Sequence, residues 1–205
     1  MNRSLAKALS VVFHPLLLPT YVFAVILYYL PESALTLPMH VRWIVLAMIF
    51  FSTFILPTAA VYAMVRLGYL DSMEADRRDQ RSIPLLFTGI CYAATAYLFY
   101  REPTYNPIFY FVMGIIAASV FVAYIVTQFW KISAHSIGMG GALGLLVLLH
   151  KLAPEAMLVY PIIIGVFLTG AVMSARLALQ AHTPEEVYAG FGSGFLLALM
   201  ASLAL

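Results

Sequence analysis

The sequence predicts an all-α integral membrane protein: a bundle of six to seven transmembrane helices, with residues 1–205 forming a single domain. Three observations carry this prediction. First, the chain is 63% hydrophobic and 10% charged, with a mean hydropathy of +0.95. Ordinary soluble domains run about 45–50% apolar and about 25% charged. A water-soluble fold cannot hide that much apolar surface, so a soluble enzyme is excluded, and the same excess excludes a disordered chain. Second, apolar runs recur along the whole chain, and most approach the roughly 20 residues that cross a bilayer. Third, lipid offers no partner to an unpaired backbone amide, so each run must be helical. The formal charge of +2 includes no basic stretch that could track a phosphate backbone, so no nucleic-acid partner is expected.

In order, the runs lie near 11–30, 42–65, 84–100, 107–130, 137–151, 157–175 and 187–205. The first follows Arg3 and Lys7 as a signal peptide would. No small-residue cleavage site comes after it, so it is expected as a retained span. Pro15 and Pro19 fall in this run and Pro57 in the second. They are expected to kink their helices without breaking them, provided that neighbours satisfy the freed carbonyls. The third run holds the single cysteine, Cys91, which reads as a small hydrophobe. One cysteine excludes an internal disulfide and a Cys-rich metal site. The fifth run is the shortest and carries Gly138, Gly140, Gly141 and Gly144, a small-residue stripe suited to close helix packing. No internal repeat or low-complexity linker interrupts the chain.

The connections differ in kind. Residues 31–40, 101–105 and 151–155 are polar joints. Residues 72–84, 130–138 and 174–186 carry the reactive side chains. Two spans separate the first of these three from the second, and two more separate the second from the third. An even number of crossings returns the chain to the same face, so all three segments can meet at one membrane surface. On that side lie Arg3, Lys7, Arg66, Arg77, Arg78, Arg81, Lys131 and Arg176; Arg42, Arg101 and Lys151 lie opposite. The bias points the motif side to the cytoplasm. It vanishes if Arg77, Arg78, Arg81, Lys131 and Arg176 are set aside as phosphate ligands.

Titratable residues beside spans are costly and are therefore functional candidates. Of the five histidines, only His135 and His182 fall in the co-facial segments. An imidazole attacks phosphorus well when one nitrogen is free and the other donates to a carboxylate. Glu186, four residues after His182, can be that carboxylate, and the planar fork of Arg176 matches phosphate oxygens in pairs. Thr183-Pro184-Glu185-Glu186 is also a capping-box pattern, so Glu186 can instead serve the start of the last helix. A carboxylate has acceptor sites enough for both. His135 lies in Ser133-Ala134-His135-Ser136, where a helix start leaves amides facing the loop. It can donate a proton to a leaving oxygen, or be an interfacial histidine beside the glycine stripe. Arg77, Arg78 and Arg81 sit among Asp71, Glu74, Asp76 and Asp79. They can clamp a phosphate or pair with these acids. Asp71, Asp76 and Asp79 also admit a rival, a Mg²⁺-diphosphate site for prenyl transfer.

Arg176, five residues, His182, three residues, then Glu186-Val187, with Gly190 following, resembles the third signature of the type-2 phosphatidate phosphatase superfamily. Ser133-Ala134-His135-Ser136 is similar to its second signature. The two segments and the helices between them cover about a third of the chain. The resemblance implies a helical membrane bundle and a lipid phosphate substrate, with neither metal nor cofactor. It implies His182 as a nucleophile that forms a phosphohistidine, Glu186 as its orienting acid and His135 as the acid for the leaving group. Arg176 and Ser133 would bind phosphate, and Arg77, Arg78, Arg81 and Lys131 are further candidates for that role. Location in a bacterial inner membrane is expected. The sequence departs from the family pattern at Ile132, Ala134, Ala175 and Glu186, and Ile83-Pro84 stands where the first signature has Arg-Pro. These departures keep open a second reading, a non-catalytic lipid-binding or structural member of the same fold.

Overall fold

A computed structural model describes residues 1–35, 37–73 and 77–201. The described residues form helices joined by short connections, without strands. Helices α1 (Arg3–Val12) and α2 (Leu18–Tyr29) are followed by the single turn α3 (Glu32–Leu35). A long helix then runs as α4 (Met39–Phe50), a π-helical turn (Phe51–Ile55) and α5 (Leu56–Arg66). Next come α6 (Ser82–Arg101), α7 (Pro107–Thr127), α8 (Ala134–Leu152), α9 (Val159–Ala178) and α10 (Pro184–Met200). Among the described residues, five helical stretches are long and apolar enough to cross a membrane: Met39–Arg66, Arg78–Arg101, Pro107–Thr127, Ala134–Leu152 and Val159–Ala178. The protein is a multi-pass membrane protein with a lipid-bilayer environment.

The first predicted span, 11–30, is not one helix. The chain leaves the helix between α1 and α2, at Pro15. Proline disfavours helical geometry in the residue before it and removes its own N–H; the His14 N–H turns back to the Val11 carbonyl at 3.2 Å, and the Tyr21 hydroxyl of α2 donates to the Val12 carbonyl at 2.8 Å. Pro19 falls in the first turn of α2, where a missing N–H costs nothing. With 12 residues at about 1.5 Å each, α2 reaches about 18 Å, short of the roughly 30 Å hydrocarbon core. It is shielded by protein, burying Leu18, Val22, Phe23, Ile26 and Leu27. The last predicted span, 187–205, appears as the 17-residue α10, and residues 202–205 lie outside the described ones.

Pro57 lies within a continuous helix. Its missing N–H would have served the Thr53 carbonyl. That carbonyl instead accepts the Tyr92 hydroxyl of α6 at 3.1 Å, inside the bundle. The π-turn absorbs the misfit, with the Leu56 N–H donating to the Phe51 carbonyl, and the helix continues to Arg66.

At the far end of the bundle, Phe23, Phe99 and Phe109 pack ring to ring at 5.4–5.8 Å and join α2, α6 and α7. Buried Arg42 caps the end of α2 by donating from Nη1 to the Leu27 carbonyl, and Nε reaches the Leu37 carbonyl at 3.2 Å. Exposed Tyr28, Tyr29, Trp43, Tyr100 and Tyr160 ring this end, and Tyr69, Phe129, Trp130 and Tyr188 ring the other. Such aromatic belts suit the two lipid–water interfaces.

Helix α8 is the most buried of the long helices. Its glycines face those of α10. A methyl on Gly140 would collide with the Phe191 carbonyl, and one on Gly194 with the Ile137 carbonyl. Methyls on Gly144 and Gly190 would lie 2.8 Å from the Phe195 oxygen and 2.9 Å from the Ser133 oxygen. These partners ascend together along both helices, so α8 and α10 run parallel and begin at the same face. There the Ser133 N–H donates to the Glu186 carbonyl at 3.3 Å.

Candidate active site

The site is built at the turn between α9 and α10. Helix α9 ends as the Ala181 N–H bonds back to the Arg176 carbonyl at 3.2 Å, with Gln180 in the left-handed region at φ 54°. This 6→1 bond is the helix-ending pattern that usually takes glycine, and it reverses the chain. His182 follows at once. Thr183 then caps α10, and its Oγ1 accepts the Glu186 N–H at 3.4 Å. The Glu186 carboxylate returns to the Thr183 N–H at 3.3 Å and accepts His182 Nδ1–H at 2.6 Å through the same oxygen, Oε2. The capping and orienting roles of Glu186 coexist on one atom. The acid holds the proton on Nδ1, which leaves the lone pair on Nε2.

The His182 side chain is only 2% exposed, so a ligand reaches Nε2 only if a neighbouring side chain moves. Burial pushes the imidazole down to about 4 against the pull of the Glu186 carboxylate, and the charges of Arg81 and Arg176 add to the push. His182 is therefore neutral, hence nucleophilic, at pH 7.

The second segment meets this turn through the close packing of α8 on α10. Ser133, fully buried, is the N-cap of α8: its Oγ accepts from the Ser136 N–H at 3.3 Å and lies 3.0 Å from the Ser136 hydroxyl. Its hydroxyl thus starts a helix inside the protein rather than lining an open surface. His135, in the first turn of α8, donates from Nε2 to the Ser10 carbonyl of α1 at 2.9 Å. Arg176, in the last turn of α9, donates from Nη1 to the Ser10 hydroxyl at 3.1 Å. The His14 ring stands edge-on to His135 at 5.6 Å. Ser10 and His14 were missed in the sequence. The signal was the same parity: Ser10 precedes the first run and His14 lies near its start, on the motif side.

The three arginines of the first segment separate. Arg77 is exposed and forms a bidentate pair with Asp79 at 3.0 and 3.2 Å, and Asp71 lies 3.9 Å away. Asp79 beside it is held below the usual carboxylate range by that hydrogen bond. Exposed Arg78 ties this loop to the end of α7 through the Phe129 carbonyl at 2.6 Å. Half-buried Arg81 is the one whose charge reaches His182. Lys131 is half-buried on the connection into α8. Of the acids considered for Mg²⁺, Asp71 and Asp79 converge on Arg77, and Asp76 lies outside the described residues, as does Glu74 beside it. Among the described residues, no three His, Cys, Asp or Glu side chains are grouped to hold a metal ion.

An apolar cleft runs from this face into the bundle between α2, α6, α7 and α8, past Pro15, Leu85, Ala134, Gly138, Ile115 and Leu145. What the arrangement offers is an oriented neutral imidazole, a second imidazole and two guanidinium groups, with Ala134, next to His135, lining the apolar cleft. Compared with family models, curated proteins and solved structures, the chain finds no match.

Proposed function

We propose that the protein is a membrane-embedded lipid phosphatase that hydrolyses a phosphate monoester or diphosphate on a lipid. The observation that carries the reading is the 2.6 Å bond from His182 Nδ1 to Glu186, with two guanidinium charges acting on the same ring. In this reading the Nε2 lone pair of His182 attacks phosphorus and the bond from phosphorus to the ester oxygen breaks. The leaving oxygen takes a proton from His135, and Glu186 stabilises the positive charge that develops on the His182 ring. Because Nε2–H of His135 is held by Ser10, the acid is the doubly protonated ring, and the proton it gives up is the one on Nδ1. Water then attacks the phosphohistidine, returning its proton to His135 and releasing phosphate. Arg176 and Arg81 neutralise the phosphoryl oxygens. The lipid tail lies in the apolar cleft. The likeness to the type-2 phosphatidate phosphatase signatures supports the same assignment, and a bacterial inner membrane is the location proposed with it.

The test is phosphate release from a panel of lipid monoesters and diphosphates by the purified chain, with and without EDTA. Wild type is expected to be active and indifferent to EDTA, and His182→Ala to be inactive with an unchanged melting temperature. Turnover by His182→Ala at the wild-type rate refutes the assignment. Folded wild-type protein that binds these lipids without releasing phosphate favours the non-catalytic reading.

A further inference from the structure

Two reactive groups of the site, from segments far apart in the chain, end on one residue that no motif contains. Ser10 accepts the Arg176 Nη1–H on its hydroxyl at 3.1 Å and the His135 Nε2–H on its carbonyl at 2.9 Å. It is almost fully buried, as is Ala6 one turn earlier, and through this strip α1 packs against α9. The rest of α1 faces outward, with Met1, Leu5, Val11 and Val12 exposed beside Arg3 and Lys7. That is the pattern of a helix lying in a membrane interface, apolar residues toward the acyl chains and cations toward the headgroups.

We propose that Ser10 is the positioning residue of the site, carried on an interfacial helix, and that it aims Arg176 at the bound phosphate and fixes the tautomer of His135. The inference rests on the reading of the site as a phosphate site. A guanidinium on a flexible stem loses rotamer freedom when it binds an oxyanion, and a hydroxyl that already holds one Nη removes part of that loss beforehand. A guanidinium carries several N–H donors, so committing one to a hydroxyl does not disable the planar fork. The carbonyl acts independently of the side chain: as an acceptor it demands a proton on Nε2 of His135, so Nδ1 is left to exchange protons with the substrate.

The test measures binding of inorganic phosphate by calorimetry to the full chain in lipid nanodiscs, which needs no turnover. Ser10→Ala is expected to bind about fivefold to tenfold more weakly, the loss of one hydrogen bond to a charged donor. Ser10→Thr should stay within about twofold of wild type. The double variant Ser10→Ala, Arg176→Ala should bind no more weakly than Arg176→Ala alone, because the hydroxyl acts only through that guanidinium. If Ser10→Ala does not fold, Ser10→Cys replaces it and must show a smaller loss with the same dependence on Arg176. In parallel, ¹⁵N shifts of the His135 ring should report the proton on Nε2. Unchanged or tighter phosphate binding in Ser10→Ala (or in Ser10→Cys where it replaces it), additive losses in the double variant, or a neutral His135 whose single proton sits on Nδ1 overturns the role of Ser10 and leaves the phosphate site standing. Absence of phosphate binding by wild type overturns the site itself and the inference with it.

Discussion

Gly194→Ala tests the packing on which the site depends. The added methyl would sit inside contact distance of the Ile137 carbonyl and 2.8 Å from the Gly141 nitrogen, where ordinary contact begins near 3.4 Å. Both obstacles are backbone, so relief requires α10 to move off α8 by about 1 Å, a shift of the size that can cost ~10²-fold in rate when reacting groups are misplaced. Over-packing of this kind costs about 1–3 kcal/mol, and a domain of this length loses roughly 2–4 °C per kcal/mol. The melting temperature should therefore fall by about 2–12 °C. Replacing a helical glycine by alanine also brings a propensity gain of up to ~1 kcal/mol, which masks part of this loss. Gly192→Ala, on the same helix with nothing within 4 Å, carries the same gain and isolates the packing term. The displacement would stretch the bond from the Ser133 amide to the Glu186 carbonyl and draw the His182 pair away from His135. Phosphate release should drop by about 10²-fold in Gly194→Ala and stay near wild type in Gly192→Ala. The assay is a thermal melt in detergent with phosphate release on the same samples. Equal melting temperatures and equal rates for the two variants refute the argument.

Glu186→Gln keeps an amide oxygen able to accept from Thr183 and His182 but removes the negative charge, so phosphate release should fall by ~10²-fold while the melting temperature moves by less than a cap is worth, about 1 kcal/mol. The pH profile of kcat/KM should show an acid limb near 4, since His182 is already neutral above that value; a limb at the ordinary 6.5 contradicts the buried pair. The unfolded chain takes up this proton at the ordinary 6.5 and the folded one only near 4, so stability should fall as pH drops between those values and level off below. Tyr92→Phe strands the buried Thr53 carbonyl at a cost of about 1–3 kcal/mol, and the cost should shrink in a Pro57→Ala background, where the substitution restores a backbone N–H that can serve that carbonyl. An equal loss in both backgrounds, read from thermal melts, removes the proline from the account.

The chemistry of the His182 turn is local. Arg176, His182, Thr183 and Glu186 lie within eleven positions, and helix periodicity with capping rules brings the carboxylate to the imidazole whatever else the chain does. Hydropathy is likewise local, which is why the helical class and the shared face of three polar segments follow from residue order. Longer-range outcomes needed the assembled bundle. Pro15 ends its helix, whereas Pro57 is carried through a π-turn with the Tyr92 hydroxyl of another helix on the Thr53 carbonyl. Arg77 is captured by Asp79 and Arg81 by the neighbourhood of His182, a distinction that depends on how the loop folds back. Ser10 lies 125 residues from His135 and 166 from Arg176. No periodicity connects such positions; they meet because α1 packs on α9 while the glycines of α8 and α10 let two parallel helices begin side by side. Patterns along the chain set which segments are helical and which atoms can react, whereas backbone-to-backbone contact across the bundle decides which of those atoms face one another.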